Sequence, residues 1–279
     1  MSRADRLPWL ERARPVRALC VGDAMLDRFV YGAVERISPE APIPVLHVRR
    51  EAAMLGGSGN VVRNAVALGA EAVFVAAIGA DAAGEELAGL VGAMAGVEAL
   101  LVPVAGRETT IKTRYIAGDQ QLLRADRENG AALPAPARAD ILARALGALD
   151  GCDVVALSDY GKGVLGDGVA GEIVRAARAA GKPVVVDPKG ADYGRYAGAS
   201  IVTPNLRELA LATLMPTGGD DEVVAAARRL IEACGLDAVL ATRSGEGMSL
   251  IERGGGVHHV RAKPREVFDV AGAGDTVVA

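Results

Sequence analysis

An acidic residue and a glycine turn stand together near the end of the sequence, at Gly272-Ala273-Gly274-Asp275. Residues 266–270 before them have the pattern of a strand, and the apolar residues after them are compatible with a helix. The first amides of a helix have no intrahelical partner, so this turn is suited to an anion. A carboxylate beside it can accept a proton from an attacking hydroxyl while the amides hold a phosphoryl group. A glycine turn with an acidic helix cap is the ordinary alternative.

Earlier in the chain, two acids and a second glycine turn also follow predicted strands. Asp23 and Asp27 follow an apolar run, where they can bind substrate hydroxyls or cap a turn. Gly56 and Gly57 open a predicted helix that carries Asn60, whose amide is suited to a polyol. This turn lacks the lysine of a Walker loop and the glycine spacing of a dinucleotide fingerprint, so neither of those nucleotide sites is predicted.

Three later strand ends carry residues suited to phosphate, nucleotide or metal. Lys189 follows one predicted strand. Asn205 and Glu208 follow the next with the spacing of a helix capping box, and a hydrated Mg²⁺ and phosphate site is the functional alternative. A further turn suited to nucleotide contact contains Thr242, Ser244, Gly245 and Gly247. Because the carboxyl ends of parallel strands share one edge of a sheet, this concentration of polar turns favours an active site over coincidence.

Short apolar runs alternate with helix-periodic stretches along most of the chain. This pattern predicts an α/β fold, with a mostly parallel central sheet flanked by helices. Core strands are predicted at 16–22, 72–78, 99–104, 154–157, 183–186, 200–202 and 238–241. Helices are predicted at 58–68, 84–95, 136–149, 168–180, 206–213 and 220–233. An antiparallel hairpin is predicted at 248–252 and 257–262.

Two segments, 29–50 and 109–127, interrupt this alternation because polar-rich strand patterns occur there without a following helix. We expect these segments to form a second, small sheet inserted into the main fold. Such a sheet can serve as a lid or as a dimer surface, and an ordinary surface hairpin is the alternative.

Composition narrows the class of protein. The 279 residues suffice for one large α/β domain, and a net charge of -4 argues against a nucleic-acid partner. Residues 1–15 lack the apolar core of a signal peptide, and no charge-free apolar stretch is long enough to span a membrane. The 3 cysteines and 3 histidines fit neither a disulfide framework nor a metal site. We therefore expect a cytoplasmic protein whose cysteines are reduced and buried.

Taken in order, these motifs resemble those of the ribokinase (PfkB) family of carbohydrate kinases over essentially the whole chain. The residues that carry the resemblance are Gly22-Asp23…Asp27, Gly56-Gly57-Ser58-Gly59-Asn60, Asn205…Glu208 and Gly272-Ala273-Gly274-Asp275. Stretches 35–45, 158–163 and 187–190 are similar to one branch of that family. That branch phosphorylates O1 of D-glycero-β-D-manno-heptose 7-phosphate to the 1,7-bisphosphate, on the route to ADP-heptose for lipopolysaccharide. The resemblance implies an ATP-dependent sugar kinase with a ribokinase-like fold and a small β lid.

The resemblance also implies a role for each matching residue, with Asp275 as the base that deprotonates the anomeric hydroxyl. The amides of Gly272, Ala273 and Gly274 would bind the γ-phosphoryl group. The sugar would be bound by Asp23, Asp27, Gly56, Gly57 and Asn60. ATP and Mg²⁺ would be bound by Lys189, Asn205, Glu208, Thr242, Ser244, Gly245 and Gly247, with Glu208 acting on the metal through water. Lys112 and Arg114 on the inserted sheet are candidates for the sugar 7-phosphate, since an anionic substrate needs cations.

Further expectations follow from the resemblance. The protein would be a homodimer paired through the inserted lid. Relatives continue with helices that complete the adenine pocket, so residues 1–279 are expected to be a kinase domain without them. Some relatives carry a following adenylyltransferase half, whose His-x-Gly-His signature does not occur in this sequence. The alternatives are a kinase for another sugar, sugar phosphate or nucleoside, and a truncated, non-catalytic sugar-phosphate binder.

Overall fold

The computed structural model describes residues 16–263 and 272–279. The start of the chain at 1–15 and the strand predicted at 266–270 lie outside this part. The described residues form one large, mostly parallel sheet with helices on its two faces, and one small sheet beside it. The predicted fold class is therefore confirmed.

The strands and helices are numbered in chain order. Strands β1 to β13 are Arg17–Gly22, Ala24–Ile37, Pro44–Gly57, Glu71–Gly79, Val97–Val104, Ile111–Ala117, Gln120–Arg127, Val154–Ser158, Val184–Asp187, Ile201–Val202, Ala238–Thr242, Met248–Glu252 and Val257–Val260. Helices α1 to α7 are Ser58–Ala67, Ala82–Gly92, Ala135–Leu149, Val169–Ala179, Leu206–Thr213, Asp220–Cys234 and Ala273–Val278. The predicted core strands, helices and hairpin are all present, with bounds that differ by a few residues.

In the described residues, the strand order of the large sheet is β13-β12-β11-β10-β9-β8-β1-β4-β5. The pairs from β5 to β11 are parallel, and β12 and β13 add to the edge as antiparallel strands. The chain builds outward from β1 in both directions, to β4 on one side and to β8 on the other. The strand order therefore reverses at β1, where open α/β sheets bind their ligands.

The alternation of side chains along β1 explains why helices cover both faces of the sheet. Leu19 and Val21 lie in a buried cluster with Ile141 of α3 and Ile173 of α4. Their neighbours in β1 lie in a second buried cluster on the opposite face, together with residues of α1 and α2. The core consists mainly of aliphatic side chains, as the low aromatic content predicts.

The small sheet has the strand order β3-β2-β6-β7. It confirms the predicted inserted sheet, but its first two strands begin earlier and end later than the predicted segment 29–50. Only Asp23 separates β1 from β2, and β3 runs directly into α1 at Gly57. Asp27 therefore lies on β2 and Gly56 on β3, two strands that pair with each other in the small sheet. Neither residue lies in a turn of the large sheet.

Two smaller expectations concern the cysteines and the membrane. Cys20, Cys152 and Cys234 are free and buried, as expected for packing residues. Among the helices of the described residues, none combines the length and the apolar character needed to cross a bilayer.

Candidate active site

An open cleft of about 170 Å³ lies at the carboxyl ends of the parallel strands β8, β9, β10 and β11. Turns after these strands supply most of its wall, and the start of α7 supplies one residue. The lining residues are Asp159, Tyr160, Asp187, Pro188, Lys189, Thr203, Asn205, Glu208, Thr242 and Gly274. Predicted binding residues from three separate turns and from the terminal glycine motif therefore meet at one cleft.

Asp275 lies in α7 beside this cleft, and its carboxylate is held on both oxygens. The side-chain amide of Asn60 donates a 2.6 Å hydrogen bond to Oδ2 of Asp275. The hydroxyl of Tyr160 donates a hydrogen bond to Oδ1. These partners leave the side chain of Asp275 buried, with the residue only 5% exposed.

The close contact between Asn60 of α1 and Asp275 of α7 requires a glycine at position 272, directly before α7. Gly272 has φ 76°, in the left-handed region that favours glycine. A Cβ atom at this position would overlap the side-chain amide of Asn60. One helical turn farther on, the amide of Asn64 donates a 3.1 Å hydrogen bond to the hydroxyl of Thr276. The two helices are thus fixed together at the point where the candidate base lies.

The amides of Ala273 and Gly274 belong to the first turn of α7, where backbone N–H groups have no intrahelical acceptor. Gly274 lines the cleft. The predicted anion site therefore lies next to the carboxylate of Asp275 and faces the same open space as Lys189.

Asp187 is the last residue of β9, and the negative charges of Asp275 and Glu208 both act on its carboxyl group. Burial, followed by the carboxylates of Asp275 and Glu208, raises the pKa of Asp187 to about 7. Near neutral pH this acid is therefore only partly ionised in the free protein.

Unlike the partly ionised carboxyl group of Asp187, the phenol of Tyr160 stays protonated. Burial, together with the carboxylates of Asp275 and Asp187, raises the pKa of Tyr160 above its usual range. The hydroxyl therefore stays protonated near neutral pH and can donate its hydrogen bond to Asp275.

Asp23 has a structural role, which differs from the predicted contact with the sugar. It is 1% exposed, and its carboxylate accepts hydrogen bonds from the backbone amides of Tyr160, Lys162 and Val164 at 2.8, 2.9 and 3.1 Å. Burial raises the pKa of Asp23, and these amides oppose the shift. The carboxylate anchors the turn after β8 to the end of β1, which leaves no exposed oxygen for a substrate.

The sugar-binding candidates on the small sheet lie near Tyr160. Asp27 forms a largely buried ion pair with Arg114, with 2.6 Å between Oδ1 and Nη1. Arg114 is thus neutralised by Asp27, which argues against the predicted contact with a free phosphate. Lys112 lies on β6 opposite Asp27, and its Nζ is 6.0 Å from the ring centroid of Tyr160. No carboxylate among the described residues lies within ion-pair distance of Lys112.

Gly56 and Gly57 allow the small sheet to pack closely at this corner. A Cβ atom at Gly56 would lie 2.5 Å from Oδ2 of Asp27, and one at Gly57 would lie 2.5 Å from the backbone carbonyl oxygen of Asp23. Gly57 also has φ 58° as the residue before α1. Gly56 therefore leaves room for the side chain of Asp27, and Gly57 leaves room for the backbone of Asp23.

Asn205 and Glu208 form the capping box that their spacing predicts. Oδ1 of Asn205 accepts from the amide of Glu208 at 3.0 Å, and Oε2 of Glu208 accepts from the amide of Asn205 at 3.1 Å. The other oxygen of Glu208 pairs with Nζ of Lys189 at 3.0 Å. Capping and cleft lining are compatible here, because Asn205 and Glu208 face the cleft from the start of α5.

The predicted nucleotide turn 242–247 reaches the cleft only at Thr242, the last residue of β11. Thr242 lines the cleft, whereas Ser244 and Gly245 are exposed. Gly247 packs so closely on the carbonyl of Val260 that a Cβ atom would overlap it. Arg243 fixes the turn through ion pairs with Asp220 at 2.5 Å and Glu246 at 2.7 Å.

Five residues of the cleft were not among the predicted site residues: Asp159, Tyr160, Asp187, Pro188 and Thr203. Two of them, Tyr160 and Asp187, interact with Asp275. Asp187 directly follows an apolar run and precedes Lys189, so its position at a strand end was a usable signal. Tyr160 had a weaker signal, because its contact with Asp275 spans 115 residues and depends on the path of the turn after β8.

Comparison with known sequences agrees with this geometry. The profile of the family described as pfkB family carbohydrate kinase matches residues 17–279. The chain is 58% identical over 270 residues to "Bifunctional protein HldE" of Paramagnetospirillum magneticum, covering 97% of this chain and 55% of that protein. It is 56% identical over 265 residues to the protein of the same name from Rhodospirillum rubrum, covering 95% and 53%. The chain thus spans about half the length of these relatives.

Solved structures show the same fold at low sequence identity. The tetrameric inhibited form of phosphofructokinase-2 from Escherichia coli has a TM-score of 0.75 and 20% identity, covering 95% of this chain and 85% of that one. The complex of that enzyme with fructose-6-phosphate has a TM-score of 0.71, with the same identity and coverage.

Proposed function

Because this chain belongs to the pfkB family of carbohydrate kinases and is an ATP-dependent sugar kinase, we propose that its acceptor is the anomeric hydroxyl of D-glycero-β-D-manno-heptose 7-phosphate. The product would be the 1,7-bisphosphate, used for ADP-heptose and lipopolysaccharide. Stretches 35–45, 158–163 and 187–190 support this substrate, as does the similarity to the HldE proteins. The observation that carries the proposal is the position of Asp275, beside a first-turn amide site that opens on the cleft.

The reaction follows from that position. Asp275 accepts the proton of the O1 hydroxyl as the oxygen attacks the γ-phosphorus of ATP. The new P–O bond forms while the bond to the β-phosphate oxygen breaks, and ADP leaves with the electron pair. The amides of Gly272, Ala273 and Gly274 hold the phosphoryl oxygens during transfer. Proton transfer to a positioned base typically contributes about 10²–10⁴ in rate.

The residues of the cleft fit a hydrated Mg²⁺. Among residues 16–263 and 272–279, no cluster of three or more His, Cys, Asp or Glu could hold a metal unaided. Asp187 and Glu208 nevertheless supply neighbouring carboxylates, and Mg²⁺ is commonly held by one or two carboxylates together with waters and substrate phosphates. Bound there, the ion would neutralise the phosphate charge. Asp187 and Glu208 would hold it, Glu208 through water, while Lys189 and Asn205 contact the phosphates.

On the sugar side, Asp27, Gly57 and Asn60 surround the acceptor, and the small sheet covers it. Lys112 is the proposed cation for the 7-phosphate, because Arg114 is already paired with Asp27. Thr242 and the following turn, with Ser244, Gly245 and Gly247, would lie along the nucleotide. We assign Asp23 to the support of the turn that carries Tyr160, and not to the sugar.

We also propose that residues 1–279 form one kinase domain and that two copies pair through the small sheet. All residues of its edge strand β7 are exposed, and exposed strand edges are normally covered or paired. Large apolar side chains are exposed on the strands of this sheet at Val34, Ile37, Val48, Leu122 and Leu123. Exposed apolar side chains on an open sheet edge support pairing with a second copy.

A substrate panel tests the proposed function. Purified protein with ATP and Mg²⁺ is assayed against heptose 7-phosphate, fructose 6-phosphate, ribose and adenosine. We expect kcat/KM for heptose 7-phosphate to exceed that for the others by about 10²-fold or more, because a site built for particular hydroxyls rejects substrates lacking them. Phosphorus NMR should show the new phosphate on the anomeric carbon. A higher kcat/KM for another acceptor would reassign the substrate, and saturable sugar-phosphate binding without nucleotide binding would support the non-catalytic alternative.

A further inference from the structure

Tyr160 stands between the cleft and the candidate base. It lines the cleft, and its hydroxyl is bonded to Oδ1 of Asp275. The other carboxylate oxygen is bonded to the amide of Asn60. Since Asp275 is only 5% exposed, a substrate hydroxyl approaching from the cleft meets the phenol before it meets the carboxylate.

The backbone of Tyr160 is fixed, whereas its side chain has few polar anchors. The amides of Tyr160 and Lys162 both donate to the buried carboxylate of Asp23, so the turn is tied to the end of β1. The described residues provide the phenol with one hydrogen-bond partner, Asp275. Breaking that one bond therefore frees the hydroxyl without disturbing the turn.

General-base catalysis requires the substrate hydroxyl to lie within hydrogen-bond distance of the carboxylate. Asp275 is buried and Tyr160 lines the cleft, so a hydroxyl that approaches from the cleft reaches the carboxylate at Oδ1, where the phenol lies. We propose that Tyr160 is a positioning residue, which holds Asp275 in the empty enzyme and gives up its place to the acceptor hydroxyl when the sugar binds. This inference rests on the proposed role of Asp275 as the base.

The charges around Asp275 make the exchange measurable. Asp187 and Asp27 contribute negative charge near Tyr160, and the carboxylates of Asp187 and Asp275 are close enough to interact. Three cations lie on this side of the site. Lys112 lies beside the ring of Tyr160, Arg63 donates to Oδ1 of Asn60 at 2.5 Å, and Lys189 lines the cleft. In the free enzyme, the phenol donates its hydrogen bond to Oδ1 of Asp275. In the sugar complex, the acceptor hydroxyl takes that position.

The variant Tyr160→Phe tests the exchange through two pH profiles. The profile of kcat/KM reports the free enzyme, whereas that of kcat reports the enzyme–substrate complex. We expect the acidic limb of kcat/KM to move upward by about 0.5–1 pH unit, because a hydrogen bond to the charged form is lost. The acidic limb of kcat should stay in place. Two unmoved limbs, or two limbs that move together, would overturn the inference.

Two comparisons exclude a merely structural explanation. Tyr196→Phe removes a similar bond, from the Tyr196 hydroxyl to the buried carboxylate of Asp159 at 2.6 Å. We expect it to lower the melting temperature and leave both limbs in place. Fluorotyrosine at position 160 is a stronger donor and should move the kcat/KM limb to lower pH, opposite to phenylalanine. An unchanged limb or an upward shift with fluorotyrosine would count against the exchange.

The failure of this inference is distinguishable from failure of the proposed function. If Asp275→Asn abolishes turnover and Tyr160→Phe leaves both limbs in place, Asp275 remains the base and the role of Tyr160 is refuted. If Asp275→Asn turns over normally, the proposed base is refuted, and the inference is refuted with it.

Discussion

The side-chain amide of Asn60 donates a 2.6 Å hydrogen bond to Asp275, across 215 residues of sequence. This contact joins the start of α1, which follows the small sheet, to the helix that carries the candidate base. The sugar side and the phosphate side of the site are thereby fixed to each other. A carboxylate held on both oxygens by neutral donors is fixed in orientation, which is what a positioned proton acceptor requires.

Replacing that donor by an acid should impair turnover strongly. In Asn60→Asp, the new carboxylate would lie within hydrogen-bond distance of Asp275. One of the two groups must then hold a proton. We expect kcat/KM at pH 7 to fall by about 10²-fold, measured by a coupled ADP assay. Asn64→Asp is the matched control, one turn along the same helix. Its partner is the hydroxyl of Thr276, which donates to the carbonyl of Gly272 and can turn to donate to a carboxylate instead, so the loss should stay below about threefold. Equal losses in both variants would contradict this role of Asn60.

A methyl group at Gly56 should weaken sugar binding. The added Cβ would lie 2.5 Å from Oδ2 of Asp27, so Asp27 and its ion pair with Arg114 must shift. We expect KM for the sugar to rise about tenfold or more while the affinity for an ATP analogue is unchanged, because displacement of a positioning group by about 1 Å is costly. Gly89→Ala in α2 is the control, since a Cβ atom there meets nothing within 4 Å. It should leave KM unchanged and add up to about 1 kcal/mol of stability. An unaltered KM in Gly56→Ala would remove Asp27 from the sugar site.

Much of the fold and part of the site follow from local sequence patterns. The apolar runs of β1 and β4 and the capping spacing of Asn205 and Glu208 are short-range signals, and the structure contains each as predicted. The roles of Asp23 and Asp27 were not separable in this way. Both follow β1, but a single residue connects β1 to a strand of the other sheet, so one acid is buried under backbone amides and the other faces Arg114.

Contacts between distant segments account for the rest of what the sequence did not predict. The hydrogen bond between Tyr160 and Asp275 depends on the path of a turn, and the turn depends on three amides that bind Asp23. No periodicity or spacing encodes such a chain of contacts. For the same reason, the pairing of Arg114 with Asp27 was not foreseen, although both residues were singled out.

Asp187 should make stability depend on pH. Its folded-state pKa is about 7, above the value of about 4 in an unfolded chain, so the folded protein binds the proton more tightly. Its contribution to stability is fully present below about pH 4 and is lost as the pH rises toward 7. We therefore expect the free energy of unfolding of Asp187→Asn, relative to that of the wild-type protein, to rise by about 1–3 kcal/mol from pH 5 to pH 8. Urea unfolding of both proteins at the two pH values measures this difference. A constant difference between the two proteins would show that Asp187 is not shifted.

The proposed dimer predicts a dependence on one exposed leucine. Leu123 on the edge strand β7 is 59% exposed, and an aspartate there would place a charge in the interface. We expect Leu123→Asp to sediment as a monomer at concentrations where the wild-type protein is a dimer. Leu211→Asp, at a comparably exposed position in α5, should leave the dimer intact. A wild-type monomer, or a dimer in Leu123→Asp, would refute pairing through the small sheet.

The most direct measurement compares turnover and nucleotide affinity in Asp275→Asn. The change keeps the shape of the side chain and removes the proton acceptor, while the amides of the glycine motif stay in place. We predict that kcat falls by about 10²–10⁴-fold while the Kd of an ATP analogue, measured by calorimetry, stays within about twofold of the wild-type value. Phosphorylation of the sugar at the wild-type rate would contradict the assignment of Asp275 as the base.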